Sequence, residues 1–342
     1  VIYASEKNSL VTANVYVPKN VTFPAPVIIL ASGHNLSKDN FVNQYGGQIY
    51  VKGGCICLIP DTIGEGDRRF SGEHSSSHSG FVDSGLNAGR QIVGKMVWDL
   101  VRSIDYLYTR PDVDIQRIAC TGHSLGGDLS ALLAAVDTRL TLSIPTADWM
   151  TSRYTSGRSG SCVALYNLQR NLTPVEMVAL VAPRPQLMIY GEKDFIPLED
   201  GIEAYKRARR IYKLLSAGDK VDIHIVKGVG HGPFHLTRAA YAWIGKHFGM
   251  PKFTLTEIEK LKETTNPHWE YYQDTTVVDL PVKVLPSSLD EEGLDNTTHC
   301  EGLDCLKGLE YMDNQYSIWG WTNNMIKKAT PKFDIPKTLG EW

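Results

Sequence analysis

A chain of 342 residues is long for one average domain of ~150 and short for three, so its length predicts one large domain with an appendage or two small ones. Lys and Arg number 35 against 38 Asp and Glu, a formal net charge of -3, which leaves no electrostatic footprint for nucleic acid or an anionic membrane. Apolar residues at 42% with 21% charged are enough for a sizeable core and exclude global disorder.

The longest apolar run, around Pro26–Ala31, is far short of the roughly 20 residues of a membrane-spanning helix. No charged-then-apolar leader opens the chain, and it begins at Val1 rather than Met; the expectation is a trimmed or processed chain whose targeting signal is not visible. Six cysteines do not make a disulfide scaffold. Cys55 and Cys57 sit in an apolar run as buried strand thiols, Cys120 precedes a tight turn, Cys162 lies in a Ser/Gly-rich stretch, and only Cys300 and Cys305 are placed to pair or bind something. Without a C-x-x-C pair no structural zinc site is expected. Sequons begin at Asn20, Asn35, Asn171 and Asn296, and carry little weight as evidence of compartment.

Along the first 250 residues strand-like and helix-like segments alternate, the signature of a mostly parallel sheet with helices on both faces. Val11–Val17 alternates β-branched and aromatic residues; Pro26–Ala31 and Cys55–Pro60 are continuous apolar runs of the buried-strand type. Gly94–Leu107 carries a helical apolar stripe. Arg117–Thr121 is a predicted strand, Leu125–Val136 a small-residue helix, and Leu140–Ile144 and Pro185–Tyr190 further strands. Glu199–Leu215 is a predicted helix, Val221–Val226 a strand, and Phe234–Phe248 an amphipathic helix. After Met250 the character changes: a short charged helix at Leu255–Glu263, one strand-like segment at Thr275–Leu285, and scattered aromatics without periodicity. Residues 1–250 are therefore expected to form a catalytic domain. Residues 251–342 are expected to be an extension that packs on it or links to a further domain.

The strongest chemical signal is Thr121-Gly122-His123-Ser124-Leu125-Gly126-Gly127, a G-x-S-x-G sequence between a predicted strand and a predicted helix. Such a turn forces the serine into a strained conformation, and the glycines let strand and helix approach closely. Ser124 is the candidate nucleophile. A serine hydroxyl needs a histidine to take its proton and a carboxylate to hold the histidine's tautomer, in the chain order Ser, acid, His, each at the C-terminal end of a strand. Asp194 follows strand Pro185–Tyr190 in a G-x-x-D turn, and His231 follows strand Val221–Val226 between two glycines. Glu192 and Asp200 compete with Asp194, and His235 with His231; the strand-end turn and the glycine-flanked loop favour Asp194 and His231. His231 and His235 also have H-x-x-x-H spacing, but Gly232 stands where a metalloprotease has glutamate, so no metal and no cofactor is expected.

The oxyanion of acyl transfer requires two N–H donors. One is expected from Leu125, after the nucleophile, and the other from His34 in the Ser32-Gly33-His34-Asn35 loop. The Asp61–Arg69 loop lacks phosphate-binding spacing and is expected to border the cleft, with Asp61 structural. The polar segments Ser71–Gly80 and Thr151–Cys162 are placed to act as a cap, and Trp149 is pocket lining or core.

The segments VTANVYVPKNVTFPAPVIILASGH, IPDTIGEGDR, VWDLVRSIDYLYTRPDVDIQRIACTGHSLGG, VALVAPRPQLMIYGEKDFIPLEDG and VKGVGHGPFH resemble the α/β-hydrolase superfamily, and within it the bacterial acetyl xylan esterase-like branch. The resemblance covers about Val1–Met250. It implies an α/β-hydrolase fold and esterase activity on acylated sugars, with Ser124, Asp194 and His231 on the family's triad positions and the His34 and Leu125 amides on its oxyanion positions. Relatives often carry a Cys/His-rich loop where this chain has the Ser/Gly-rich stretch near Cys162. The expected substrate is a small-molecule or polysaccharide ester such as acetylated xylan or xylo-oligosaccharides, and a polymeric one favours a secreted or periplasmic location. The rival expectations are a prolyl-oligopeptidase-like peptidase and a binding module built on a hydrolase fold. Oligomeric state is not legible.

Overall fold

The computed structural model describes residues 1–69, 82–148, 172–265, 272 and 274–284. Its strands are β1 (Ile2–Glu6), β2 (Ser9–Tyr16), β3 (Ala25–Ala31), β4 (Ile56–Pro60), β5 (Val113–His123), β6 (Leu142–Thr146), β7 (Gln186–Gly191) and β8 (Val221–Val226), with a short pair β9 (Glu263–Thr265) and β10 (Thr276–Val278). The helices are α1 (Phe41–Lys52), α2 (Val82–Asn87), α3 (Ile92–Tyr108), α4 (Leu125–Val136), α5 (Pro174–Ala179), α6 (Leu198–Leu214), α7 (Arg238–Phe248) and α8 (Leu255–Lys260). The first eight strands form one sheet in the order β1-β2-β4-β3-β5-β6-β7-β8. β1 and β2 join antiparallel across a turn in which Asn8 takes a left-handed φ of 62°, a conformation asparagine tolerates better than most side chains. β2 also runs antiparallel to β4, and every other pairing from β3 to β8 in this sheet is parallel.

β3, β4, β6 and β7 are buried along their whole length, as strands covered on both faces must be. The alternating side chains of β3 feed two cores. Ile28 and Leu30 face Tyr45 and Ile49 of α1, Ala204 and Ala208 of α6 and Ile244 of α7. Val27 and Ile29 face Met96, Leu100 and Ile104 of α3 and Leu129 and Leu133 of α4. Each buried Leu or Ile contributes about 1.5–3 kcal/mol relative to its exposed state. The fold is thus a mostly parallel sheet with helices on both faces.

Two expectations need correction. The predicted helix Phe234–Phe248 begins as a 3-10 turn over Phe234–Leu236, and the α-helix starts only at Arg238. The strand expected over Thr275–Leu285 is three residues long, Thr276–Val278; Pro281 has no N–H with which to extend a ladder. Helix α1, with no clear stripe in the sequence, is buried nearly all round, from Val42 to Gly47 and again at Ile49 and Tyr50. A helix so enclosed lacks the amphipathic period that would announce it.

The described part of the C-terminal region lies against the sheet domain. The Tyr45 hydroxyl donates to the Val278 carbonyl at 2.7 Å, and Gln48 exchanges two hydrogen bonds with the Lys283 backbone. Val277 and Val278 are fully buried. No helix among the described residues is long and apolar enough to cross a membrane.

Beneath β2 and β4 lies a buried ionic cluster. The Arg68 guanidinium, wholly buried, donates to Asp99 at 2.9 Å and to the Asp61 carbonyl at 3.0 Å. Lys95, also wholly buried, bonds the other Asp99 oxygen and the Ser5 hydroxyl. One carboxylate on α3 therefore compensates two cations out of water, and removing it leaves Arg68 without a carboxylate and Lys95 with only Glu6, 3.4 Å away. Asp99→Ala is expected to destabilise the fold by about 3–5 kcal/mol, measured as a shift of the urea midpoint at unchanged slope.

Candidate active site

β5 runs between β3 and β6, and its last residue, His123, leads directly into Ser124 and helix α4. Ser124 has φ 57° and ψ -123°, a combination costly for a residue with a Cβ and held only because the surroundings over-determine it. Its N–H donates to the Thr146 carbonyl at 3.0 Å, and its carbonyl accepts the first helical bond from Asp128 at 3.0 Å. The flanking glycines have no substitute. A Cβ on Gly122 would lie 2.3 Å, and one on Gly126 2.1 Å, from the Ala31 carbonyl oxygen, while one on Gly127 would lie 2.3 Å from that of Thr146. Leu125 is the first residue of α4, so its N–H belongs to the helix-start amides that have no intrahelical acceptor.

β7 and β8 carry the candidate acid and the candidate histidine at their ends. Their loops are laced together by Glu192 N–H to the Val226 carbonyl at 2.9 Å and Lys193 N–H to the Val229 carbonyl at 2.8 Å. The His231 Nδ1 stands 3.0 Å from each carboxylate oxygen of Asp194. Asp194 is shielded, its side chain 1% exposed against 16% for His231, and one of its oxygens also accepts the Ile196 N–H at 3.1 Å. A proton on Nδ1, donated to this carboxylate, leaves the basic lone pair on Nε2. The Phe195 ring lies 4.5 Å from the imidazole, centre to centre. The ring of His123, the residue before Ser124, is 5.4 Å from the same imidazole. The competing residues stand elsewhere: Glu192 bonds Lys227 and the Gly228 N–H, and Asp200 lies in the first turn of α6. His235 is 1% exposed, with neither ring nitrogen hydrogen-bonded.

The Ser32–Asn35 loop leaves the end of β3 beside the serine turn. Gly33 is pressed against His123, and a Cβ there would meet that ring at 3.1 Å. The loop is held from below by Asn43, whose amide donates to Ser32 Oγ at 2.9 Å and to the Ser37 carbonyl at 2.7 Å. From the side, Glu65 accepts the Asn35 N–H at 3.2 Å. Asp61 organises the same region, accepting from Thr12 Oγ1, the Lys38 N–H and Lys38 Nζ. Trp149 and the polar segments expected to cap the site, within 70–81 and 149–171, lie outside the described residues, as do Cys162, Cys300 and Cys305. No group of three His, Cys, Asp or Glu among the described residues is arranged to hold a metal ion.

The acetyl xylan esterase (AXE1) family model matches residues 1–154, and the prolyl oligopeptidase family model matches residues 87–251. The chain has the α/β-hydrolase fold, and its first 154 residues are similar to the acetyl xylan esterase family. YtaP of Bacillus subtilis (strain 168), which carries a provisional hydrolase name, is 25% identical over 206 residues, covering 56% of this chain and 67% of that protein. Among solved structures, methylesterase BT1017 superposes with a TM-score of 0.56 at 24% identity, over 72% of this chain and 53% of its own. A Bacteroides fragilis NCTC 9343 protein provisionally named acetyl xylan esterase gives 0.55 at 18%, over 66% and 65%. A family 15 glucuronoyl esterase from Caldicellulosiruptor kristjansonii gives 0.54 at 16%, over 78% and 79%. The chain thus spans about half the length of the first of these structures, and at such identities the likeness establishes the fold.

In this α/β-hydrolase several residues at the site were not singled out by sequence reasoning: His123, Glu65, Tyr272 and Asp274. Only the placement of His123 inside the G-x-S-x-G turn could have drawn attention to it. Burial and the neighbouring histidines hold the His123 imidazole well below its usual range, and burial and His231 bring His34 down to about 4. Burial alone brings His235 down to about 3. It likewise pushes the Cys55 and Cys120 thiols up to about 12, so these buried cysteines are inert at neutral pH.

An unfolded imidazole titrates near 6.5, and below that pH the unfolded chain takes up a proton that folded His235 refuses. The contribution is fully present above about pH 6.5 and is lost as pH falls toward 3, with a slope of about 1.4 kcal/mol per pH unit. His235→Asn is expected to flatten the acid dependence of stability by about that slope between pH 6 and 4, read from urea unfolding at several pH values.

Proposed function

We propose that this α/β-hydrolase is a serine carboxylesterase that removes an acetyl or other short acyl group from a carbohydrate, with acetylated xylan or xylo-oligosaccharides as the substrate class. The observation that carries the reading is the two-point contact of His231 Nδ1 with Asp194, 3.0 Å to each oxygen, with the ring of His123, the residue before Ser124, 5.4 Å from that imidazole. The match to the acetyl xylan esterase model supports the choice of substrate.

Ser124 Oγ attacks the ester carbonyl carbon while His231 Nε2 accepts the hydroxyl proton. Asp194 holds the Nδ1–H tautomer and stabilises the imidazolium that forms. Negative charge moving onto the carbonyl oxygen meets the N–H groups of Leu125 and His34. The tetrahedral intermediate collapses with cleavage of the bond to the sugar oxygen, which leaves as the alcohol with the proton from His231. Water then attacks the acyl-enzyme, with His231 again as base, and returns the free acid and Ser124.

One observation favours a second reading. The prolyl oligopeptidase model matches residues 87–251, and the same chemistry cleaves amides. A panel of acetylated oligosaccharides, methyl and glucuronoyl esters and short peptides separates the two; release of amine from peptides in preference to acid from esters would transfer the assignment.

Ser124→Ala is expected to lower the turnover of p-nitrophenyl acetate by about 10⁴-fold or more, since only binding and the oxyanion donors remain, and to abolish labelling by a fluorophosphonate. Full activity in that variant rejects the serine mechanism, and a folded wild-type protein that does not label points to a binding module. His231→Ala and His235→Ala compared side by side test the base. His231→Ala is expected to lose activity by a similar factor and His235→Ala to keep most of it.

A further inference from the structure

The loop that carries His231 is poorly suited to hold a catalytic side chain by itself. Between Val226 and Phe234 it contains Gly228, Gly230 and Gly232, and glycine gives a backbone the widest conformational freedom. General-base catalysis requires the imidazole to be held within a fraction of an ångström of its productive position. The Asp194 bond fixes one ring nitrogen but not the backbone on either side of the ring.

That backbone is gripped from the C-terminal extension. Asp274 Oδ2 accepts the Gly230 N–H at 2.7 Å, one residue before His231. One residue after it, Gly232 is packed so closely on the fully buried Thr275 that a Cβ at Gly232 would lie 2.3 Å from the threonine Oγ1. A third contact reaches the serine side. The Tyr272 hydroxyl is 2.8 Å from His123 Nε2, with its ring edge-on to the imidazole at 5.2 Å. His123 is the neighbour of Ser124 and the ring beside His231. Behind these contacts the extension is anchored by the β9–β10 pair and by the bonds of Val278 and Lys283 to α1.

We propose that Tyr272 and Asp274 are positioning residues of the active site: the extension acts as a strap that holds the His231 loop and the His123 ring in the geometry of the reaction. The inference rests on the assignment of Ser124 and His231 given above. Asp274 acts through the Gly230 N–H and needs only an acceptor oxygen at that place. Tyr272 acts through the neutral His123 ring and needs its hydroxyl. Neither residue is required to touch the substrate, so the strap bears on the chemical step rather than on binding.

The test uses the full chain, with kcat and KM for p-nitrophenyl acetate and thermal midpoints for Asp274→Ala, Asp274→Asn, Tyr272→Phe and Ser124→Ala. Asp274→Ala is expected to lower kcat about tenfold with KM within a factor of two, because a displaced base loses rate steeply with distance. Asp274→Asn, whose amide oxygen still accepts from Gly230, is expected to restore most of the loss. Tyr272→Phe is expected to lower kcat severalfold at an unchanged thermal midpoint. Wild-type kcat in both Asp274→Ala and Tyr272→Phe overturns the strap, as does a loss of kcat that tracks a falling thermal midpoint, and so does an Asp274→Asn variant as impaired as Asp274→Ala. In each case an inactive Ser124→Ala leaves the esterase reading standing, whereas an active Ser124→Ala removes that reading itself.

Discussion

The close approach of β3, the end of β5 and the start of α4 is the constraint on which the site depends. Around Ser124 the Ala31 carbonyl comes so near Gly122 and Gly126 that no side chain fits at either position. The Thr146 carbonyl excludes one at Gly127 in the same way and also receives the Ser124 N–H. The serine cannot relax from its left-handed conformation without separating strands that share a core. The strain is held by burial of the central strands, and it aims the hydroxyl out of the sheet edge and the first α4 amides beside it.

The remaining groups are supplied by neighbouring strand ends, which the parallel order brings to the same edge. β3 contributes the Ser32–Asn35 loop, and β7 and β8 contribute Asp194 and His231. None of these loops is held by its own sequence. Glu65 and Asn43 fix the first, backbone bonds between the β7 and β8 loops fix the second, and Asp274 and Thr275 of the extension lie on either side of His231. Around them His34 and His123 are kept uncharged by burial, so no second imidazolium would oppose the positive charge that the proposed proton transfer places on His231.

Much of this was legible in the sequence where one local pattern decides the outcome. The buried strands β3 and β4 announce themselves as continuous apolar runs, α3 as an apolar stripe at helical spacing, and the serine turn as a glycine motif between strand and helix. The helix at Leu125–Val136 and the strand at Val221–Val226 have the predicted bounds. Helix α1 did not show, because residues buried on nearly every side leave no polar face to mark the period. The ionic cluster of Arg68, Lys95 and Asp99 reads in the sequence as ordinary surface charge, since burial of a charge is decided by partners far along the chain.

By itself, the sequence determined the alternation of strands and helices, the glycine-flanked serine turn, and the placing of Ser124, Asp194 and His231 each at a strand end, since each of these local patterns depends on residues within a few positions of one another. Only the tertiary structure decided which histidine meets the carboxylate. His231 and His235 are four residues apart and chemically identical, yet one stands beside Asp194 at the edge of the site and the other is sealed in the core with no partner for its ring nitrogens. It alone also brought Tyr272 within 2.8 Å of His123 across 149 residues of chain. Such a contact leaves no trace in local pattern, because it is set by how separate elements pack and not by the propensities of the residues that make it.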